Sequence, residues 1–139
     1  IIGFVIALLL GCGPRAYTDL TNAELQALLD QGMVLVDIRL PEEWCQSGVI
    51  KGSVPLTFLD KSGRVVNTFF SQLDNLASKD QPLILVCRSG NRTSAAAQML
   101  TADRGYTQVY HLQDGISGWI RAGLPLEPLQ AVGHLSTGG

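Results

Sequence analysis

The stretch LILVCRSGNRTSAAAQML, residues 83–100, joins an aliphatic run to an alanine-rich segment through a short polar loop. An uninterrupted aliphatic run that ends in turn-forming residues is typical of a strand buried on both faces of a sheet. The loop, 88–91, contains a glycine, and the segment after it has the pattern of a helix that Gly105 would end. This stretch therefore predicts a buried strand, a tight loop and a helix in direct succession.

The same alternation extends to both sides of that stretch. Thr21 and Glu24 stand at capping-box spacing, and Pro41 occupies a position typical of the first turn of a helix. The predicted helices are 22–30 ended by Gly32, a short one from Pro41 to Gly48, 68–77 capped by Asn67, 92–105, and one around 116–123; the predicted strands are 33–39, 54–56, 83–87 and 107–112, with a turn at 62–63. Strands that alternate with helices predict an α/β fold, an open parallel sheet with helices on both faces.

The composition limits the classes of function. The chain has 139 residues, of which 46% are hydrophobic and 16% charged, with a formal net charge of −2. This length suits one domain, the hydrophobic content excludes a disordered chain, and there is no basic field for nucleic acid. We expect a monomer without a nucleic-acid partner.

Three cysteines, Cys12, Cys45 and Cys87, lie far apart in the sequence. There is no C-x-x-C motif and no histidine at ligand spacing, so the pattern indicates neither a zinc site nor a disulfide framework, and we expect no metal or cofactor. Cys45, beside Trp44 on a short helix, is expected to pack against the core; a regulatory disulfide is the alternative.

Cys87 ends a predicted parallel strand, and ligands of open parallel sheets bind outside the carboxyl ends of the strands. The loop 88–92 can curl so that its N–H groups point inward, and the next helix begins at once. Such a field, with Arg88 and Arg92, stabilises a thiolate over a thiol without a histidine base. Two close arginines also need a counter-anion, for which Asp37 is a candidate. The alternative is a buried strand cysteine beside a polar connection.

Four segments carry a resemblance to a known family. VDIRLPEEW (36–44), GVIKGSVPL (48–56), the stretch 83–100 and LQDGISGWIRAGLPLE (112–127), in this order and spacing, resemble the single-domain rhodanese sulfurtransferases over about 20–127. Members of that family take a sulfane sulfur from a donor such as thiosulfate onto the loop cysteine as a persulfide, and then pass it to cyanide or a thiol. The resemblance implies a rhodanese-like sheet and small-molecule partners of this kind.

The resemblance also implies roles for individual residues. It assigns the nucleophile to Cys87 and the substrate-binding loop to Arg88, Ser89, Gly90, Asn91, Arg92 and Thr93, the last of which opens the helix. Asp37 and Arg39 match the D-x-R pair of the family and are expected to support the loop structurally. The sequence departs from many members at Val49, where they have histidine, and at Asp114, where they have the first of two glycines.

Two further residues in the second half of the chain, His111 and Trp119, have side chains that could take part in binding or packing. His111, at the carboxyl end of a predicted strand, could approach the site but is expected to be structural. Trp119 is expected to anchor the last helix in the core.

Two alternatives to sulfur transfer remain open. The first is a phosphatase or an arsenate reductase. Phosphatases with a cysteine-arginine loop have five residues between the cysteine and the arginine, whereas this chain has four between Cys87 and Arg92. The shorter loop implies a smaller ring of backbone N–H groups, which suits a persulfide sulfur and not a tetrahedral phosphate. The other alternative is a rhodanese-like module that binds sulfur or a partner without turnover.

The N-terminal segment, residues 1–16, differs from the rest. Residues 1–13 carry no charge. This uncharged segment is shorter than the roughly 20 residues needed to span a bilayer, but its length suits the apolar part of a signal peptide. The residues before Cys12, Leu9-Leu10-Gly11, resemble the lipobox of bacterial lipoproteins. We expect export to the periplasm or cell surface with a lipid anchor on Cys12; the alternative is a plain signal peptide or a membrane anchor. After this N-terminal segment we expect a rhodanese domain over 17–128 and a mobile tail over 129–139.

If Cys12 is lipidated, the protein expressed from its own start codon in a bacterial host should incorporate labelled fatty acid and sediment with membranes. Cys12→Ala should lose the label and accumulate as an unprocessed precursor. Unchanged processing of the variant would instead favour a plain signal or anchor.

Overall fold

A five-stranded parallel sheet organises residues 16–129, the part of the chain that the computed structural model describes. The strands are β1 (Tyr17–Leu20), β2 (Val34–Asp37), β3 (Val54–Pro55), β4 (Leu83–Val86) and β5 (Val109–Leu112). Their spatial order is β1-β5-β4-β2-β3, and all neighbours are parallel. The aliphatic run that opens the deciding stretch is thus the central strand, and all four of its residues are buried.

Helices cover both faces of this sheet. They are α1 (Asn22–Asp30), α2 (Pro41–Ser47), α3 (Phe69–Leu76), α4 (Asn91–Asp103) and α5 (Gly115–Arg121). Because side chains alternate along a strand, Leu83 and Leu85 of β4 join a core cluster with residues of α3 and α4, whereas Ile84 and Val86 join a second one with residues of α1 and α5. The predicted fold class, an open parallel sheet with helices on both faces, is confirmed.

Local signals in the sequence predict several helix ends correctly. The Thr21 hydroxyl accepts the N–H of Glu24 at 3.2 Å, and the Glu24 carboxylate accepts the N–H of Thr21 at 3.1 Å, as a capping box requires. Pro41 is the first residue of α2, and Gly48 ends this helix with φ +78°. Trp119 is buried as predicted, and its Nε1 donates to the carbonyl of Pro125 at 2.9 Å.

Two expectations about local structure are wrong, and one strand is additional to those that the sequence predicts. The additional strand is β1, which pairs with β5 along its whole length. Asn67 does not cap α3, which begins one residue later than expected, after Thr68. Cys45 is exposed and does not pack into the core; its neighbour Trp44 takes the buried position on α2.

Two predicted segments lie outside the described residues. One is the predicted signal segment, residues 1–16, with the predicted lipidation site Cys12; only residue 16 of it is described. The other is the predicted tail after residue 129. Within 16–129, no helix combines the length and the apolar character needed to cross a bilayer.

An ion pair between Asp37 and Arg39 is buried at the end of β2. Arg39 donates to both carboxylate oxygens, at 3.0 Å from Nε and 2.7 Å from Nη2, and Trp44 Nε1 donates to the carboxylate at 3.0 Å. The other N–H groups of Arg39 reach the Ser47 hydroxyl at 2.8 Å and the Gly48 carbonyl at 3.0 Å. The pair therefore holds the middle and the carboxyl end of α2 against the sheet.

Asp37→Asn should lower the free energy of unfolding by about 3 to 5 kcal/mol, because it leaves the charge of Arg39 buried without a carboxylate. Urea unfolding at neutral pH measures this change. The matched control is Glu42→Gln, which breaks the exposed Lys61–Glu42 pair and should leave the unfolding midpoint unchanged. Equal effects of the two substitutions would contradict the structural role of the buried pair.

Candidate active site

Cys87 follows the last residue of β4 directly, and its side chain is only 1% exposed. The loop after it turns back so that the N–H of Gly90 donates to the Cys87 sulfur at 3.2 Å. This turn needs φ +94° at Gly90, in the left-handed region that favours glycine, and a Cβ there would overlap the carbonyl oxygen of Gln113. The loop thus places a backbone donor on the sulfur at the carboxyl end of the central strand.

The first turn of α5 holds the other side of the loop. The N–H groups of Ile116 and Ser117 donate to the carbonyls of Cys87 and Arg88 at 2.9 and 3.0 Å. Gly115 lies against the same two carbonyls with φ +60°, and a Cβ there would collide with both. Packing against these two carbonyls therefore requires glycine at position 115.

Arg92 makes a bidentate ion pair with Glu43 of α2. Its Nη1 and Nη2 lie 2.7 and 2.8 Å from the two carboxylate oxygens. The Arg92 guanidinium holds the pKa of Glu43 below its usual range, and the Glu43 carboxylate raises the pKa of Arg92. Asp37, the candidate counter-anion, bonds Arg39 and Trp44 directly. The direct partner of Arg92 is therefore Glu43, and Asp37 adds only a smaller Coulombic contribution to the raised pKa of Arg92.

The other predicted loop residues divide between the mouth and the interior of the site. Arg88, Ser89 and Asn91 are exposed, whereas Gly90 and Thr93 are buried. A pocket of about 290 Å³ opens beside Arg88, and it is lined by Arg39, Glu43, Gln46, Ser47, Arg88, Ile116, Ser117 and Ile120. This pocket is small, mixed in polarity and flanked by the exposed cation of the loop.

Val49 follows Gly48, the residue that ends α2, and its side chain is apolar. It is fully buried, and its backbone exchanges two 2.8 Å hydrogen bonds with Glu127. Val49 therefore fixes the segment after α5 through its backbone.

A buried polar chain that the sequence did not reveal leads away from the Cys87 sulfur. Thr93 Oγ1 is 3.5 Å from Cys87 Sγ and 2.8 Å from His111 Nδ1. His111 Nε2 is 2.7 Å from a carboxylate oxygen of Asp19. Asp19 was not singled out, and His111 was expected to be structural. The register of β1 beside β5, which pairs Asp19 with His111, is the signal that would have joined them.

Comparison with known proteins gives a family match over most of the chain. A family model described as a Rhodanese-like domain matches residues 21–122. The thiosulfate sulfurtransferase GlpE of Haemophilus influenzae (strain PittEE) is 31% identical over 112 residues, which cover 81% of this chain and 96% of that protein. The mitochondrial protein HIGH ARSENIC CONTENT 1 of Arabidopsis thaliana is 32% identical over 115 residues, or 79% of this chain and 68% of that protein.

A solved structure has the same architecture. The crystal structure of Rv0390 from M. tuberculosis superposes with a TM-score of 0.66 at 29% identity, and the match covers 78% of this chain and 95% of that one.

The Glu43–Arg92 pair predicts a pH-dependent contribution to stability. Because the pKa of Glu43 is lowered in the folded state, the pair stabilises fully above the pKa of an unfolded glutamate, about 4.3, and this contribution is lost as the pH falls through the folded-state pKa. The difference in unfolding free energy between wild type and Glu43→Gln should therefore be constant near neutral pH and shrink in acid. Urea titrations across this range measure it. A difference that persists at the lowest pH would show that the charge of Glu43 is not its cause.

Proposed function

Because the chain belongs to the rhodanese-like domain family, we propose that it is a sulfurtransferase that carries sulfane sulfur as a persulfide on Cys87. The observation that supports this proposal is the position of the sulfur, at the carboxyl end of the central strand and under the N–H of Gly90. Thiosulfate is the proposed donor, by analogy with the sulfurtransferase among its relatives, and cyanide or a small thiol is the proposed acceptor.

The proposed reaction has two substitutions at sulfur. The Cys87 thiolate attacks the outer sulfur of thiosulfate, the S–S bond of the donor breaks, and sulfite leaves with the electron pair. The acceptor then attacks the terminal sulfur of the persulfide, and the Cys87 thiolate leaves. With cyanide the product is thiocyanate. With a thiol, the acceptor becomes the persulfide and gives up its proton, and the enzyme returns to its starting state.

The charges at the mouth support an anionic donor. Arg88 is exposed at the edge of the pocket, whereas the two other charged residues of the lining, Arg39 and Glu43, are paired with Asp37 and Arg92. The volume of about 290 Å³ lies at the lower end of the range for small-molecule pockets, and the lining reaches Arg88, the residue directly after Cys87. A persulfide is also one atom longer than a thiol, so the transferable sulfur lies farther from the buried end of β4 than the Cys87 sulfur does.

One observation favours a second function, a module that holds sulfur without turnover. The guanidinium of Arg92 is engaged on both of its terminal nitrogens by Glu43, so a donor anion that uses Arg92 must displace a carboxylate. The two functions differ in whether the persulfide is discharged.

Purified protein should release thiocyanate from thiosulfate and cyanide, and Cys87→Ser should reduce this release to the background rate, because the alcohol is a poor nucleophile that cannot form a persulfide. Cys45→Ser is the matched control; it removes an exposed thiol and should retain wild-type activity. Turnover by Cys87→Ser would contradict the mechanism. Persulfide formation on the wild type without thiocyanate release would instead support the non-catalytic module.

A further inference from the structure

The hydroxyl of Thr93 connects the Cys87 sulfur with a histidine. Thr93 is fully buried, and its Oγ1 lies 3.5 Å from Cys87 Sγ, 2.8 Å from His111 Nδ1 and 3.1 Å from the Gly90 carbonyl. A hydroxyl has one proton to donate and two lone pairs to offer. The direction of that proton therefore depends on the charge of its neighbours.

Asp19 determines which nitrogen of His111 carries the proton. The His111 side chain is 5% exposed, and its Nε2 lies 2.7 Å from the Asp19 carboxylate, which can only accept while it is ionised. Neutral His111 then has its proton on Nε2 and a lone pair on Nδ1 facing Thr93. Tyr17, the other titratable neighbour on β1, packs edge-on against the ring at 5.4 Å and bonds the Ser94 hydroxyl at 2.6 Å.

The hydroxyl proton of Thr93 has the Gly90 carbonyl as an acceptor at 3.1 Å, and turning it away from that carbonyl gives the chain two further arrangements. When His111 is neutral, Thr93 donates to Nδ1 and presents a lone pair to the S–H group of Cys87. When His111 is protonated, Nδ1–H donates to Thr93, and the hydroxyl proton is free to point at a Cys87 thiolate. The first arrangement turns into the second when the Cys87 proton moves to Thr93 Oγ1 and the Thr93 proton moves to His111 Nδ1. One S–H bond breaks, one N–H bond forms, and no atom is oxidised or reduced.

We propose that Thr93, His111 and Asp19 form a proton relay that withdraws the Cys87 proton before sulfur transfer. The proposal rests on the proposed function for its purpose, since a thiolate is the attacking species in that reaction. Thr93 touches the reacting sulfur, whereas His111 and Asp19 act through Thr93 and are positioning residues. The imidazolium that forms is paired with Asp19, whose side chain is 32% exposed and connects the relay with solvent.

The test uses the alkylation rate of Cys87 by iodoacetamide, read from the mass of the Cys87 peptide so that other thiols do not contribute. Thr93→Val and His111→Gln remove the relay, whereas Thr93→Ser keeps the hydroxyl and is the matched control. Near neutral pH, the first two variants should react more slowly than wild type by up to about 30-fold, because a thiol with an ordinary pKa of about 8.5 is only about 3% ionised at neutral pH. Thr93→Ser should react at about the wild-type rate, because it retains the group that accepts and donates the proton.

The pH dependence separates a relay from a purely structural role. At about pH 10, above the ordinary pKa of a free thiol, hydroxide removes the proton directly, and all four proteins should react alike. A deficit that persists there, or neutral-pH rates of Thr93→Val and His111→Gln equal to the wild-type rate, would overturn the proposal. If Thr93→Val does not fold, His111→Gln decides. Alkylation needs no turnover, so absence of thiocyanate release by the wild type would count against the proposed function and not against the relay.

Discussion

A carboxylate and a guanidinium that are buried together at the end of β2 determine how the candidate site is assembled. Burying two charges is unfavourable unless they are paired and the remaining donors are satisfied. Asp37 meets this condition with Arg39 and Trp44, and Arg39 with the end of α2 at Ser47 and Gly48. These bonds fix α2 beside the sheet. Helix α2 carries Glu43, whose carboxylate forms the ion pair with Arg92 of the loop. The position of the loop after Cys87 thus depends on an ion pair that does not touch the sulfur.

Backbone contacts also hold the loop after Cys87 in place. The loop lies between the Gln113 carbonyl, which leaves no space for a side chain at Gly90, and the first turn of α5, which leaves none at Gly115. A loop confined in this way presents its N–H to Cys87 without reorganisation, and preorganised donors of this kind stabilise developing negative charge. Glu43 neutralises one arginine of the loop, and Arg88 remains exposed at the pocket for an anion.

The sequence predicts those features that local patterns determine. The aliphatic run of β4, the capping box at Thr21 and Pro41 at the start of α2 each act within a few residues. The four residues of β1 lack such a signal, because their register depends on β5, far away in the chain. Without β1, the sequence does not place Asp19 beside His111. It does not pair Glu43 with Arg92 either, because only the tertiary position of α2 determines which carboxylate reaches Arg92. Cys45 is exposed because it follows the buried Trp44 by one residue, about 100° around the helix.

In the proposed function, one buried thiol, that of Cys87, and no other group carries the transferred sulfur. The most direct measurement is peptide mapping by mass spectrometry after incubation with thiosulfate and removal of the excess donor. The account predicts the added mass of one sulfur atom on the peptide that contains Cys87 and none on the peptide that contains the exposed Cys45, with the addition reversed by cyanide. Sulfur on the Cys45 peptide, or no addition at Cys87, would contradict it.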